Sequence, residues 1–85
     1  MKNFSYIITD PLGLHARPAG LLVKEAQKHA EDITLSLRDK SADLKKLFAV
    51  MKLGVKHNDE ICCTVTGENE EKVAVLLLAY LQQNL

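Results

Sequence analysis

Within 85 residues the apolar period switches repeatedly between two and three-to-four, which restricts the chain to a mixed fold of short strands and helices around one core. Phe4, Tyr6 and Ile8 alternate with Ser5, Ile7 and Thr9, predicting a strand over Phe4 to Thr9 with one well-buried face. Asp10-Pro11-Leu12-Gly13 supplies turn chemistry. A helix is expected from about Ala16 to about His29, because Ala19, Leu22, Val23, Ala26 and Ala30 recur at helical spacing. Pro18 is compatible with it, since first-turn amides have no intrahelical partner to lose.

A second strand is predicted over Asp32 to Leu37, with Ile33, Leu35 and Leu37 inward. Arg38-Asp39-Lys40 then turns the chain into a short strand near Ser41. Leu44 to Leu53 reads as a short helix closed by Gly54. A strand from about Glu60 to Thr66 places Ile61, Cys63 and Val65 on the core side. The last helix is expected to start near Asn69, with Val73, Leu76, Leu77, Tyr80 and Leu81 as a broad apolar face and Val75 and Leu78 widening it. Short connections and clean alternation favour a single α+β domain over residues 1–85, one antiparallel sheet with helices packed on one face.

Apolar residues make up 47% of the chain, enough for a core, and eleven basic residues balance eleven acidic ones. That balance argues against a nucleic-acid or membrane-surface binder, which needs a basic excess. Two Phe and two Tyr also leave too few aromatics for a base-stacking platform. No apolar run approaches the roughly 20 residues of a spanning helix, and Met1 to Ser5 carries no signal-peptide core, so a cytoplasmic location is expected. Cys62 and Cys63 are adjacent, and neighbouring strand residues point to opposite faces. One buried and one exposed or partly covered free thiol are therefore expected, with no disulfide, no metal site and no cofactor.

The chemistry concentrates in Gly13-Leu14-His15-Ala16-Arg17-Pro18. His15 falls where the loop meets the first helix, and there unpartnered backbone N–H groups form an anion-binding end. Arg17 adds a permanent cation whose planar donors suit phosphate oxygens, and Gly13 lets the loop backbone come close. A neutral imidazole has the lone pair needed to attack phosphorus, and the same positive surroundings then favour the dianionic group. In phosphoryl transfer most of the catalysis is positioning and charge stabilisation, so no metal from this chain is required. His29 and His57 lie in polar stretches and read as solvated surface.

The run Gly13-Leu14-His15-Ala16-Arg17-Pro18-Ala19 resembles the signature of HPr, the phosphocarrier of the phosphoenolpyruvate–sugar phosphotransferase system. Leu47-Phe48 through Leu53-Gly54 is similar to the family's short middle helix at matching spacing, and the likeness covers essentially the whole chain. The resemblance implies an open-faced β-sandwich of four antiparallel strands and three helices in the order βαββαβα. It implies that His15 is phosphorylated on Nδ1 by phospho-Enzyme I and donates to IIA units of sugar transporters, with Arg17 stabilising the phosphoryl group. Such a carrier is a co-substrate of phosphotransferases rather than an enzyme. Many Gram-positive members carry a regulatory serine at the start of the middle helix; here that position is Lys46, beside Lys45, so catabolite signalling through it is not expected. Ser41, five residues earlier, is a poor substitute.

Periodicity alone also marks a partner face. At about 100° per residue, Arg17, Gly20, Leu21, Lys24 and Lys28 fall away from the first helix's core stripe. A two-turn middle helix cannot bury Leu47, Phe48, Ala49, Val50, Met51 and Leu53 on one side. An apolar patch rimmed by Lys24, Lys45, Lys46 and Lys52, with Ala16 beside it, suits transient docking of an acidic partner by a monomer. The competing readings are a regulatory paralogue of the same fold and a small hydrolase of acylphosphatase type, for which nothing beyond Arg17 speaks.

Overall fold

The computed structural model describes residues 1–85. In chain order the elements are β1 (Lys2–Ile7), α1 (Ala16–Gln27), β2 (Asp32–Leu37), β3 (Lys40–Asp43), α2 (Leu47–Lys52), β4 (Glu60–Thr66) and α3 (Glu70–Asn84). The strands form one sheet in the order β1-β4-β2-β3, every neighbouring pair antiparallel. Three helices cover one face, and this is the open-faced βαββαβα sandwich expected from the sequence. The uncovered face is mostly small and polar, with Ile7 exposed on it; one row across it runs Ser5, Cys62, Ser36, Ser41.

The alternation of β2 and β4 is clean: Ile33, Leu35, Leu37, Ile61, Cys63 and Val65 are all buried. They meet Ala19, Leu22, Val23 and Ala26 of α1, Val50 of α2, and Val73, Leu77 and Leu81 of α3 in a single hydrophobic cluster. Each large apolar side chain so enclosed contributes roughly 1.5–3 kcal/mol. Cys63 lies in this core, and burial pushes its thiol up to about 12; Cys62 points to the open face, and both are free.

Several expectations need correction. The first strand begins at Lys2 and its ladder ends at Ile7, while Ile8 is a fully buried anchor just beyond it. Phe4 and Tyr6 are only half-buried because β1 is an edge strand. The first helix ends at Gln27, and Ala30 lies outside it, exposed. The middle helix starts at Leu47 rather than Leu44, and Leu44 instead fills the core from the preceding turn. On α3 the buried stripe is narrower than the composition suggests: Val75 and Leu76 are exposed, Leu78 half-covered. Only Val73, Leu77 and Leu81, one residue per turn, are fully buried, with Ala74 and Tyr80 partly packed against the core beside them.

The β2–β3 turn uses Arg38 in the left-handed region (φ 55°), held by an Arg38 Nη2 to Asp59 Oδ1 contact of 3.1 Å. Gly54, at φ +67°, ends α2 as its sequence position predicts. No helix is long and apolar enough to cross a membrane.

Candidate functional site

The loop between β1 and α1 is shaped by three local requirements. Asp10 Oδ1 accepts the Leu12 amide at 2.9 Å and the Asp10 carbonyl accepts the Gly13 amide at 2.9 Å, closing the turn. Gly13 then takes φ +70°, and Leu14 N–H donates to the Val55 carbonyl at 3.1 Å while the Leu14 side chain enters the core. The chain is thereby pinned on both sides of His15, which becomes the N-cap residue of α1 in extended conformation.

His15 does not use its ring to cap the helix. The amides of Ala16 and Arg17 open the first turn, the third position is Pro18, and no acidic residue lies in that turn. A helix start left in this state carries a partial positive charge that no acidic side chain of its own first turn offsets. Arg17 adds to it: the side chain is exposed and makes no hydrogen bond or ion pair within the chain. A cation at the positive end of a helix dipole is unfavourable by a few tenths of a kcal/mol to about 1 kcal/mol, a cost that a bound anion reverses. The His15 side chain is 40% exposed and so open to a docked donor.

A cleft of about 220 Å³ lies beside it, lined by Asp10, His15, Arg17, Pro18, Leu21, Tyr80, Asn84 and Leu85. Tyr80, expected only as core, is half-buried there; burial first, and then Glu25, push its phenol up. Asp10 is the residue that sequence reasoning missed. Its Oδ2 is 3.8 Å from His15 Nε2, and its backbone carbonyl also meets His57 Nδ1 at 3.2 Å. The signal lay in Asp10-Pro11, whose turn-forming role drew attention away from the carboxylate. His57 is exposed as expected but bonded to this turn, whereas His29 departs from its expectation. It is half-buried, with Nε2 enclosed and unpartnered and its carbonyl accepting Lys45 Nζ at 2.6 Å.

Beyond the histidine, α1 and α2 form an apolar groove of about 430 Å³, lined by Ala16, Arg17, Gly20, Leu21, Val23, Lys24, Gln27 and Leu47. Leu21, Phe48 and Met51 are large apolar side chains left 52%, 79% and 41% exposed. Lys24, Lys46 and Lys52 are exposed at the rim; Gly20 and Leu47 are half-covered. Lys45 leaves the rim, because its ammonium is bound to the end of α1 and its carbonyl accepts Gln27 Nε2. Lys46 is the N-cap residue of α2. Nowhere do three or more His, Cys, Asp or Glu side chains come together in a way that could hold a metal ion.

A small open-faced sandwich that presents one accessible histidine on an anion-seeking helix start belongs with the histidine-containing phosphocarriers. The comparisons with known proteins give the family. Residues 2–83 match the family described as the PTS HPr component phosphorylation site. The chain is 36% identical over 85 residues to the phosphocarrier protein HPr of Mycoplasma genitalium, covering 99% of this chain and 97% of that protein. It is 42% identical over 72 residues to the HPr of Mycoplasma capricolum, covering 85% and 81%. Among solved structures, an HPr from Thermoanaerobacter tengcongensis superposes with a TM-score of 0.93 at 30% identity, over 99% of this chain and 94% of the other. A histidine-containing phosphocarrier solved to trace the divergence of Mycoplasma from Gram-positive bacteria gives 0.91 at 35% identity, over 96% and 93%. The chain belongs to the HPr family, the phosphocarriers of the phosphotransferase system.

Proposed function

We propose that this carrier accepts a phosphoryl group on His15 from phospho-Enzyme I in the cytoplasm and donates it to IIA units of sugar transporters. The observation that carries the reading is the junction of β1 and α1. There an uncapped helix start and the unpaired Arg17 flank a solvent-reached imidazole. With Nε2 turned towards Asp10, Nδ1 is the nitrogen left for phosphorus. Its lone pair forms the Nδ1–P bond as the donor's bond to phosphorus breaks and that pair leaves with the donor. Arg17 and the Ala16 and Arg17 amides then face the phosphoryl oxygens. Passing the group on reverses these changes, and no metal ion is needed from this chain.

Both partners dock on the face made by Ala16, Gly20, Leu21, Lys24, Lys46, Leu47, Phe48, Met51 and Lys52. The apolar centre supplies contact and the lysine rim selects acidic surfaces and speeds encounter. The chain acts as a monomer, since each carrier must offer the same face to successive partners. The experiment is onward transfer: chain phosphorylated by Enzyme I is mixed with a purified IIA domain and label is followed to the acceptor. Label moving to the IIA domain supports the reading; label remaining on the carrier with an active IIA domain points instead to a regulatory role.

A further inference from the structure

Asp10 is anchored through its backbone on both sides and through one oxygen of its carboxylate. Oδ1 accepts the Leu12 amide at 2.9 Å, the Asp10 amide donates to the Leu85 carbonyl at 2.9 Å, and the Asp10 carbonyl accepts from Gly13 and meets His57. These contacts leave Oδ2 without a hydrogen bond and place it 3.8 Å from His15 Nε2, the only carboxylate oxygen within ion-pair distance of that ring. A neutral turn former such as Asn or Ser would serve the loop equally well, so the turn does not account for a charge at this spot.

We propose that Asp10 is a positioning residue for the carrier histidine, keeping the proton on Nε2 and balancing the charge that the ring gains when phosphorus bonds to Nδ1. The inference rests on the carrier reading above and adds to it a residue of this chain. In the neutral ring one nitrogen holds the proton and the other the lone pair, and the partner of the first fixes which is which. With the proton on Nε2, attack through Nδ1 forms the Nδ1–P bond and leaves the ring as an Nε2–H imidazolium facing Asp10. On onward transfer the P–Nδ1 bond breaks, its electron pair returns to Nδ1, and the ring departs neutral with the same proton still on Nε2. Asp10 therefore neither gains nor loses a proton. At 3.8 Å the resting contact is longer than a direct hydrogen bond, as in many unliganded sites, and it shortens once the ring is charged.

The test is Asp10→Asn, with Asp10→Ser as a second variant; both keep an oxygen for the Leu12 amide and remove the charge. Two readouts are taken: the tautomer of neutral His15 by long-range proton–nitrogen spectra, and the rate of phosphorylation by Enzyme I. The native ring is expected to hold its proton on Nε2, with the Nδ1–H share growing several-fold in either variant and phosphorylation slowing about tenfold, equivalent to about 1.4 kcal/mol. A tautomer balance unchanged within twofold overturns the inference, even if the rate falls, because a purely structural turn residue would do that. Should the native chain fail to take label while the tautomer still responds to Asp10, the carrier reading falls and the hold on Nε2 stands.

Discussion

A Cβ added to Gly13 would sit 2.6 Å from the Lys56 Cα and 2.6 Å from the Val55 carbonyl oxygen, so the histidine loop and the loop before β4 share one backbone-to-backbone contact. Gly13 also has φ +70°, which costs other residues about 1–2 kcal/mol. Gly13→Ala is expected to lower the unfolding free energy measured in urea by at least that much and to slow phosphorylation, because the segment carrying His15 must lift away. Gly20, in the interior of α1, would have nothing within 4 Å of an added Cβ, and its φ is ordinary. Gly20→Ala should therefore raise stability by roughly 0.5–1 kcal/mol. Equal effects of the two substitutions would contradict this account.

Arg17 has no partner within the chain, so its removal leaves nothing unpaired. Arg17→Ala should change stability by no more than about 0.5 kcal/mol while cutting phosphoryl transfer on the order of 100-fold. Arg17→Lys should recover part of that loss, since an ammonium supplies charge without the planar fork. Transfer rates measured for both variants beside their melting curves decide the matter.

Phe48 is 79% exposed on α2 and adds little to the core. Phe48→Ser is expected to change stability by no more than about 0.5 kcal/mol and to weaken Enzyme I binding about tenfold or more, as for an aromatic at the centre of an interface. Calorimetric titration of the two forms against Enzyme I checks it. Undiminished affinity would move the docking face elsewhere.

Two titrating groups give opposite pH limits. Cys63 keeps its proton in the fold up to about 12, whereas an unfolded chain loses it in the usual thiol range. The unfolded state then binds fewer protons, so stability falls with rising pH between these values, by about 1.4 kcal/mol per unit from this group. Cys63→Val should remove that part of the slope in urea titrations at about pH 9 to 11. In the native protein a thiol reagent should modify Cys62 alone.

Glu31 acts at the acid end. Its Oε2 accepts the Asn69 amide at 3.0 Å at the start of α3, and that bond holds its carboxyl below the usual range. A depressed value means the contribution is present above the ordinary carboxylate range and is lost as pH falls through the lower native value. The stability gap between native chain and Glu31→Gln should thus be full near neutrality and close in acid. A gap that persists at the lowest pH would contradict it.

What the sequence makes legible follows from which residues carry a period. Ile33 to Leu37 and Ile61 to Val65 alternate strictly and are buried in the structure as expected. Gly13-Leu14-His15-Ala16-Arg17 is contiguous, so its assembly at one helix start needed no tertiary knowledge. Asp10 could not be placed against His15 in this way, because the contact depends on a turn closed by Oδ1 and by bonds to Leu85 at the far end of the chain. Lys45 and Lys46 are neighbours of equal charge, yet only the path of α1 beneath them sends one to His29 and leaves the other free. Val75 and Leu76 belong to a broad apolar arc of α3 in the sequence yet are exposed, because which part of that arc meets the sheet is set by packing.

The central claim is that His15 carries the phosphoryl group. Native chain and His15→Ala are incubated with Enzyme I, magnesium and labelled phosphoenolpyruvate, and acid-labile label is counted on each folded protein. Label on the native chain and none on the variant is the predicted result; equal label on both, or none on the native chain beside an active Enzyme I, would contradict it.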